Sequence, residues 1–156
     1  MELNIKALVM DVDGTLTDGK IYICSQSEEF KAFNIKDGYG IHRILPEHNI
    51  KSVLITGRES NIVTNRAREL NIDYVFQNIE DKKTEIEKIA KELKCELSQI
   101  AYIGDDINDI PAMKLCGLKG CPADAICEVQ LICDYVSTQN GGNGAVRDFI
   151  EWLVNQ

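Results

Sequence analysis

IKALVMDVDGTLTD, residues 5–18, joins a mostly apolar run of six residues to three carboxylates within the next eight positions. The apolar run predicts a buried β-strand at 5–10, and the glycine, threonines and aspartates after it predict a turn. Carboxylates crowded at the end of a buried strand are costly in their charged forms unless a cation lies among them. We therefore expect this stretch to begin a sheet and to carry chemistry.

Strand and helix patterns alternate along the rest of the chain. Further strand-like apolar runs occur at 51–56, 73–77, 100–104, 118–122 and 133–137, and helical patterns at 38–48, 59–70, 81–94, 106–116, 124–130 and 144–154. This alternation predicts an α/β fold with a single Rossmann-like parallel sheet and helices on both faces. Residues 21–35 are the exception, because two extended runs around a polar turn predict a β-hairpin.

Composition limits the possible classes of protein. A chain of 156 residues predicts one domain over 1–156. A net charge of -8 argues against binding to nucleic acid or to an anionic membrane surface. We expect a cytoplasmic protein, since the sequence shows neither a signal-peptide pattern nor a long apolar run. The six cysteines lack metal-ligand spacing and predict free thiols.

Four polar clusters follow or flank the predicted strands, and ligands bind at the carboxyl ends of strands in open α/β sheets. The clusters are DVDGTLTD at 11–18, TGR at 56–58, EDKK at 80–83 and GDDINDIP at 104–111. Any one of these acids could be a turn residue or a helix cap. Together they place five carboxylates at one edge of the sheet: Asp11, Asp13, Asp105, Asp106 and Asp109. Such a cluster predicts a bound Mg²⁺.

The same clusters, in their order along the chain, resemble the four motifs of the haloacid dehalogenase superfamily of phosphotransferases. DVDGTLTDGKIY, FKAFNIKDGYGI, RARELNI, QNIEDK and GGNGAVRDF also resemble its capless members that act on phosphorylated keto-deoxy sugar acids. The resemblance implies a Mg²⁺-dependent phosphomonoesterase without a cap domain, acting on 3-deoxy-D-manno-octulosonate 8-phosphate in lipopolysaccharide biosynthesis.

The resemblance and the chemistry together imply roles for the acids. Asp11 is expected to be the nucleophile that forms an aspartyl-phosphate, and Asp13 the general acid and then the general base. Alternation in an extended segment puts both on one side, with Val12 toward the core. Asp11, the main-chain carbonyl of Asp13, and Asp105 are expected to hold Mg²⁺. Asp109, four positions after Asp105 and close to one helical face, is expected to support the site together with Asp106, holding metal-bound waters and the lysine.

Thr56 and Lys82 are expected to bind the phosphoryl oxygens. Lys82 is preferred to Lys83 because the segment from Gln77 to Lys82 fits the family-like phrase Q-x-x-x-D-K, although Asn78 stands where relatives usually show glycine.

Gly57, Arg58 and Arg66 are the predicted substrate-binding residues, and a guanidinium suits the carboxylate of a sugar acid. Related phosphatases that act on nine-carbon keto acids often have a Glu at this position. The resemblance therefore implies that Arg58 favours the eight-carbon substrate over a nine-carbon keto sugar acid phosphate, which stays an alternative. Capless relatives tetramerise so that a neighbour closes each site, which implies a homotetramer here with hairpin 21–35 at the interface.

Two other classes of protein remain open. One is a non-catalytic assembly domain like that fused to some sialic acid cytidylyltransferases, and the other is a phosphoacceptor receiver domain. Asp11, Asp13, Lys82 and Asp105 count against the first. The second acid of DxDGT counts against the receiver, which does not need a general acid or base.

Overall fold

The computed structural model describes residues 4–156, in which eight strands form two sheets. The strands are β1 (Ala7–Met10), β2 (Tyr22–Ile23), β3 (Glu29–Phe30), β4 (Lys51–Ile55), β5 (Tyr74–Phe76), β6 (Ile100–Ile103), β7 (Leu118–Cys121) and β8 (Tyr135–Val136). Six of them form a sheet in the order β5-β4-β1-β6-β7-β8, and all neighbouring pairs in it are parallel. Strands β2 and β3 form a separate antiparallel hairpin. The predicted parallel sheet and hairpin are thus confirmed.

Helices connect the strands. They are α1 (Ile35–Tyr39), α2 (Leu45–Glu47), α3 (Asn61–Glu69), α4 (Lys82–Glu92), α5 (Ile110–Met113), α6 (Cys127–Gln130) and α7 (Ala145–Leu153). A π-helical segment, Gly40–Ile44, makes α1 and α2 one continuous helical stretch, and Leu97–Gln99 is a 3₁₀ turn. Between β1 and β4 the described residues hold only the hairpin and this stretch, with no cap domain. No helix within residues 4–156 has the length and apolar character needed to cross a membrane.

The central strand β1 supplies a core to both faces of the sheet. Its four residues are all buried, and successive side chains point to opposite faces. Leu8 and Met10 pack in a core with the first helical stretch, α3 and α7. Ala7 and Val9 pack in a second core with α4, α5 and α6. Helices therefore cover both faces, as predicted, and the carboxyl edge of β1 is left for polar residues.

Several element boundaries differ from those expected. The helix predicted at 106–116 is reduced to α5, because the segment after β6 first makes a turn that ends at Asp109, the N-cap residue of α5. The first helix begins at residue 35 rather than 38, since Asn34 caps it by accepting a hydrogen bond from the Lys36 N–H. The helix predicted at 124–130 and the strand predicted at 133–137 are both shorter than expected.

Helix α7 is capped by a side chain from α1. Its own N-cap residue, Gly144, has a φ of 103° and no side chain that could accept a hydrogen bond. Asp37 Oδ1 instead accepts a hydrogen bond from the Arg147 N–H at 2.8 Å. Burial raises the pKa of Asp37 to about 6, although the amides at the start of α7 pull it downward. The Asp37 carboxylate therefore joins α1 to α7, and burying it lowers the free energy of unfolding more when it is ionised than when it is protonated.

The pH dependence of stability is expected to show this cost. The folded-state pKa of about 6 lies above the ordinary value of 3.8, so between these values the folded chain binds more protons than the unfolded chain. The free energy of unfolding contributed by Asp37 therefore falls as pH rises through that window. In the Asp37→Asn variant the side chain keeps an acceptor oxygen, but the group at position 37 no longer titrates. Urea unfolding should show wild type losing about 2 kcal/mol relative to Asp37→Asn between about pH 4.5 and about pH 7.5. Parallel curves for the two proteins would contradict the assignment.

Candidate active site

The predicted site residues lie at the carboxyl edge of the central strands. Asp11 directly follows β1, Thr56 follows β4, and Asp105 lies two residues after β6. The Asp11 N–H donates to the Ile103 carbonyl at 3.0 Å, which continues the sheet pairing up to the first carboxylate. Because β1 lies between β4 and β6, the three chain segments meet at one place.

Lys82 forms two ion pairs at the centre of the site. Its Nζ lies 2.7 Å from Asp11 Oδ1 and 2.7 Å from Asp109 Oδ1, and its side chain is 1% exposed. Burial would lower the Lys82 pKa, but Asp11 and Asp109 raise it above its ordinary value. The lysine is the first residue of α4, which starts there because Asp81 accepts a hydrogen bond from the Thr84 N–H. The ammonium is thus fixed in its charged form.

Asp109 holds this lysine and the loop after β6 at the same time. Its Oδ2 accepts hydrogen bonds from the Asp105 N–H at 3.1 Å and the Asp106 N–H at 3.3 Å. The Tyr102 hydroxyl donates to Asp109 Oδ1 at 2.7 Å. Sequence reasoning missed Tyr102, whose place in a buried strand resembled that of a core residue. Asp109 was expected to share a helical face with Asp105, but it accepts hydrogen bonds from a turn before the helix.

The carboxylates in this site form a cluster that suits a divalent cation. One oxygen from each of Asp11, Asp105 and Asp109 lies within 4.8 Å of the others. Burial, followed by the charge of Asp109, raises the pKa of Asp11 well above its ordinary value. Burial also raises the pKa of Asp105 to about 6, while the Thr15 hydroxyl donates to Asp105 Oδ1 at 3.1 Å. Burial disfavours the charged forms of these carboxylates unless a cation is bound, and carboxylate oxygens are ligands that suit Mg²⁺.

Gly14 allows the loop after β1 to lie close to the Asp105 carboxylate. Its φ of 92° lies in a region that L side chains rarely adopt, and a Cβ there would lie 2.0 Å from Asp105 Oδ2. The glycine of DxDGT therefore makes room for the carboxylate that follows β6.

Asp13 points to the hairpin rather than into the cluster. Its Oδ1 lies 2.6 Å from the Nζ of Lys31, and the lysine side chain is 3% exposed. Val12 between the two aspartates is fully buried in the core, as the alternation predicted. Sequence reasoning missed Lys31, although its spacing of two from Glu29 in an extended run could have placed both on one face.

The segment after β4 forms the rim of the site. Thr56 is buried, and its Oγ1 accepts a hydrogen bond from the Arg58 N–H at 3.3 Å. The Arg58 guanidinium lies 3.0 Å from Glu29 Oε2 and is 48% exposed. Asn78 has a φ of 58° and donates its N–H to the Arg58 carbonyl at 3.2 Å. Asparagine tolerates this left-handed conformation better than most residues with a side chain, so Asn78 fits the turn without glycine.

Arg66 and Asp106, two further predicted residues, make other contacts. Arg66 pairs with Glu69 at 2.9 Å, and its guanidinium lies over the Phe33 ring at 5.6 Å. Asp106 is exposed and accepts a hydrogen bond from the Ile107 N–H at 2.7 Å. Gly57, between Thr56 and Arg58, has room for a Cβ, whose nearest neighbour would be the Ile79 carbonyl at 3.5 Å.

Comparison with known proteins identifies relatives along nearly the whole chain. A family model of haloacid dehalogenase-like hydrolases matches residues 75–150. The 3-deoxy-D-manno-octulosonate 8-phosphate phosphatase of Yersinia pestis is 41% identical over 151 residues, which cover 97% of this chain and 80% of that protein.

Solved structures agree with these sequence matches. The Moraxella catarrhalis phosphatase of the same name, solved in complex with magnesium, phosphate and KDO, has a TM-score of 0.94 and 40% identity, covering 98% of this chain and 87% of that one. A cobalt-bound Haemophilus influenzae relative has a TM-score of 0.92 and 36% identity, covering 97% of this chain and 88% of that one. The chain belongs to the haloacid dehalogenase-like hydrolases, in the family of the 3-deoxy-D-manno-octulosonate 8-phosphate phosphatases.

Proposed function

We propose that the protein is a Mg²⁺-dependent phosphomonoesterase that hydrolyses 3-deoxy-D-manno-octulosonate 8-phosphate, with residues 1–156 acting as one phosphatase domain. The observation that carries the proposal is the buried Asp11 carboxylate, held by Lys82 and facing Asp105 at the carboxyl edge of the sheet. The names and bound ligands of the relatives support the choice of substrate.

Asp11 is the proposed nucleophile. One carboxylate oxygen of Asp11 attacks phosphorus, the bond from phosphorus to the sugar oxygen breaks, and Asp13, which enters this step protonated, gives its proton to the departing alkoxide. Asp13 then takes a proton from water, whose oxygen attacks the aspartyl-phosphate and releases inorganic phosphate from Asp11. Lys82 and the Thr56 hydroxyl bind the non-bridging oxygens, where negative charge must be stabilised.

Asp11, the main-chain carbonyl of Asp13, and Asp105 are the proposed Mg²⁺ ligands. The cation supplies charge neutralisation and orients the phosphoryl group. Asp109 positions Lys82 and the loop after β6, and Asp106 stabilises that loop by accepting from the Ile107 N–H.

Arg58 is our proposed contact for the substrate carboxylate, with Gly57 leaving space beside it. It lies three residues after the end of β4 and is half exposed at the rim. Arg66 is not retained for this role, because its guanidinium packs on Phe33 and pairs with Glu69.

A panel of phosphate esters tests the proposal. With Mg²⁺ present, phosphate release should be fastest from the eight-carbon keto-deoxy acid 8-phosphate, slower from a nine-carbon keto acid 9-phosphate, and slowest from hexose 6-phosphates. A chelator should stop the reaction, and added Mg²⁺ should restore it. Preference for the nine-carbon ester would favour the alternative substrate, and no release from any ester would favour a non-catalytic assembly domain.

Asp11→Asn should lower phosphate release by about three orders of magnitude or more, because an amide is a poor nucleophile and a weak metal ligand. Asp134→Asn is the matched control, since Asp134 lies at the amino end of β8, on the opposite edge of the sheet, where it pairs with Lys119. Its activity should stay close to wild type. Near-normal release by Asp11→Asn, measured as inorganic phosphate, would remove Asp11 from the role.

We further propose a homotetramer in which a neighbour's surface closes each active site. The hairpin supports this proposal, because it carries the exposed apolar side chains Ile21, Ile23 and Phe30 outside the main sheet. Burying such side chains against a partner lowers the free energy of the assembly.

Ile23→Asp should split the tetramer, because it places a charge at a side chain that is 63% exposed in the single chain and buried in the proposed interface. Leu131→Asp, at an 80% exposed position near α6, is the control and should not change assembly. Light scattering measures the mass, and dissociation should reduce the selectivity for the sugar acid more than hydrolysis of 4-nitrophenyl phosphate. A fully active, equally selective wild-type monomer would refute the shared site.

Cytoplasmic location, a role in lipopolysaccharide biosynthesis, and the lack of a nucleic acid or membrane partner are also part of the proposal. The net charge of -8 supports the last point, since it repels polyanions at long range. The six cysteines, all free thiols, suit a reducing compartment.

A further inference from the structure

The hairpin places a carboxylate between two cations at the rim of the site. Glu29 and Lys31 lie two positions apart in the extended run that includes β3. Lys31 reaches the loop after β1, and Glu29 reaches the loop after β4. Glu29 Oε2 lies 3.0 Å from Arg58 Nη2, and Glu29 Oε1 lies 3.1 Å from Lys31 Nζ. Lys31 in turn contacts Asp13. The four side chains thus form a row of alternating charge.

Glu29 is poorly satisfied in this position. Its Oε1 is buried and makes no hydrogen bond, although Lys31 Nζ is close enough for an ion pair. Buried carboxylate oxygens are almost always hydrogen-bonded. Glu29 Oε1 is an exception, and only the charge of Lys31 holds it in place. The other oxygen pairs with a half-exposed arginine, and pairs of that kind are weak. An anion with better geometry could therefore replace Glu29 at little cost.

The proposed substrate carries such an anion. A sugar acid phosphate has a carboxylate besides the phosphate that Asp11 and Lys82 receive, and Arg58 and Lys31 are the two cations at the adjoining rim. We propose that Glu29 is an internal carboxylate that occupies the subsite for the substrate carboxylate, between Lys31 and Arg58, until the substrate displaces it. This inference rests on the proposed function and deepens it.

Glu29 then determines how strongly the site prefers acids. Two carboxylates cannot share one pair of cations without repulsion, so each acid substrate must move Glu29 aside. A phosphate ester without a carboxylate makes no such demand. The charge of Glu29 therefore reduces the affinity for acid substrates specifically.

Glu29→Gln tests the inference, because it keeps the shape of the side chain and removes its charge. The KM for the sugar acid phosphate should fall about fivefold, and the ratio of kcat/KM for the acid to that for a hexose 6-phosphate should rise about fivefold. Glu28→Gln is the matched control, since it removes the same charge one position earlier, from an exposed residue outside β3. It should leave the ratio at the wild-type value.

Inhibition gives a second measurement that needs no turnover of the acid. The unphosphorylated sugar acid should inhibit 4-nitrophenyl phosphate hydrolysis about fivefold more strongly in Glu29→Gln than in wild type. A higher KM for the acid, an unchanged ratio, or equal inhibition of the two proteins would overturn the inference while leaving the phosphatase assignment in place. A wild-type protein that hydrolyses no acid substrate would overturn both.

Discussion

The buried ammonium of Lys82, 2.7 Å from a carboxylate on either side, fixes the relative positions of the segments that build the site. Asp11 belongs to the loop after β1, Asp109 to the loop after β6, and Lys82 to the start of α4. Removing one partner from a buried ion pair costs about 3–5 kcal/mol, because the remaining charge has neither water nor a counterion. The lysine is therefore a structural requirement of the site.

The site divides into a core part and a rim part, and Asp13 lies where they meet. The core part contains Asp11, Lys82, Asp105 and Asp109, all held by the main sheet and α4. The rim part contains Glu29, Lys31 and Arg58, of which two belong to the hairpin. The core part suits chemistry that is the same for every phosphate ester, because rigid elements hold its groups in place. Recognition of a particular sugar acid depends instead on the rim part, whose residues can differ between proteins of the same fold. A hairpin outside the main sheet can vary without disturbing the carboxylate cluster of the core part.

Local patterns were sufficient to predict the sheet, its helices and the acids at its edge, because strand periodicity and the rule for carboxyl ends both act at short range. They failed where a side-chain hydrogen bond or ion pair, whether local or between distant segments, decides the outcome. Asp109 was read as part of a helix, but its hydrogen bonds to the amides of Asp105 and Asp106 hold a turn there. Tyr102 and Lys31 were missed because their partners, Asp109 and Asp13, become neighbours only after folding. The roles of the site residues themselves rest on chemistry and remain predictions for experiment.

Strand β1 is synthesised before either of the strands that flank it. Its neighbours, β4 and β6, begin at residues 51 and 100, and Lys82 lies 71 positions after Asp11. While the chain emerges from the ribosome, four fully apolar residues and an unpaired strand edge are thus exposed until most of the protein exists. Such segments are prone to aggregation and slow to pair, since long loops must close first. A chain that ends before β6 lacks both Asp105 and Asp109, so it cannot form the carboxylate cluster of the site.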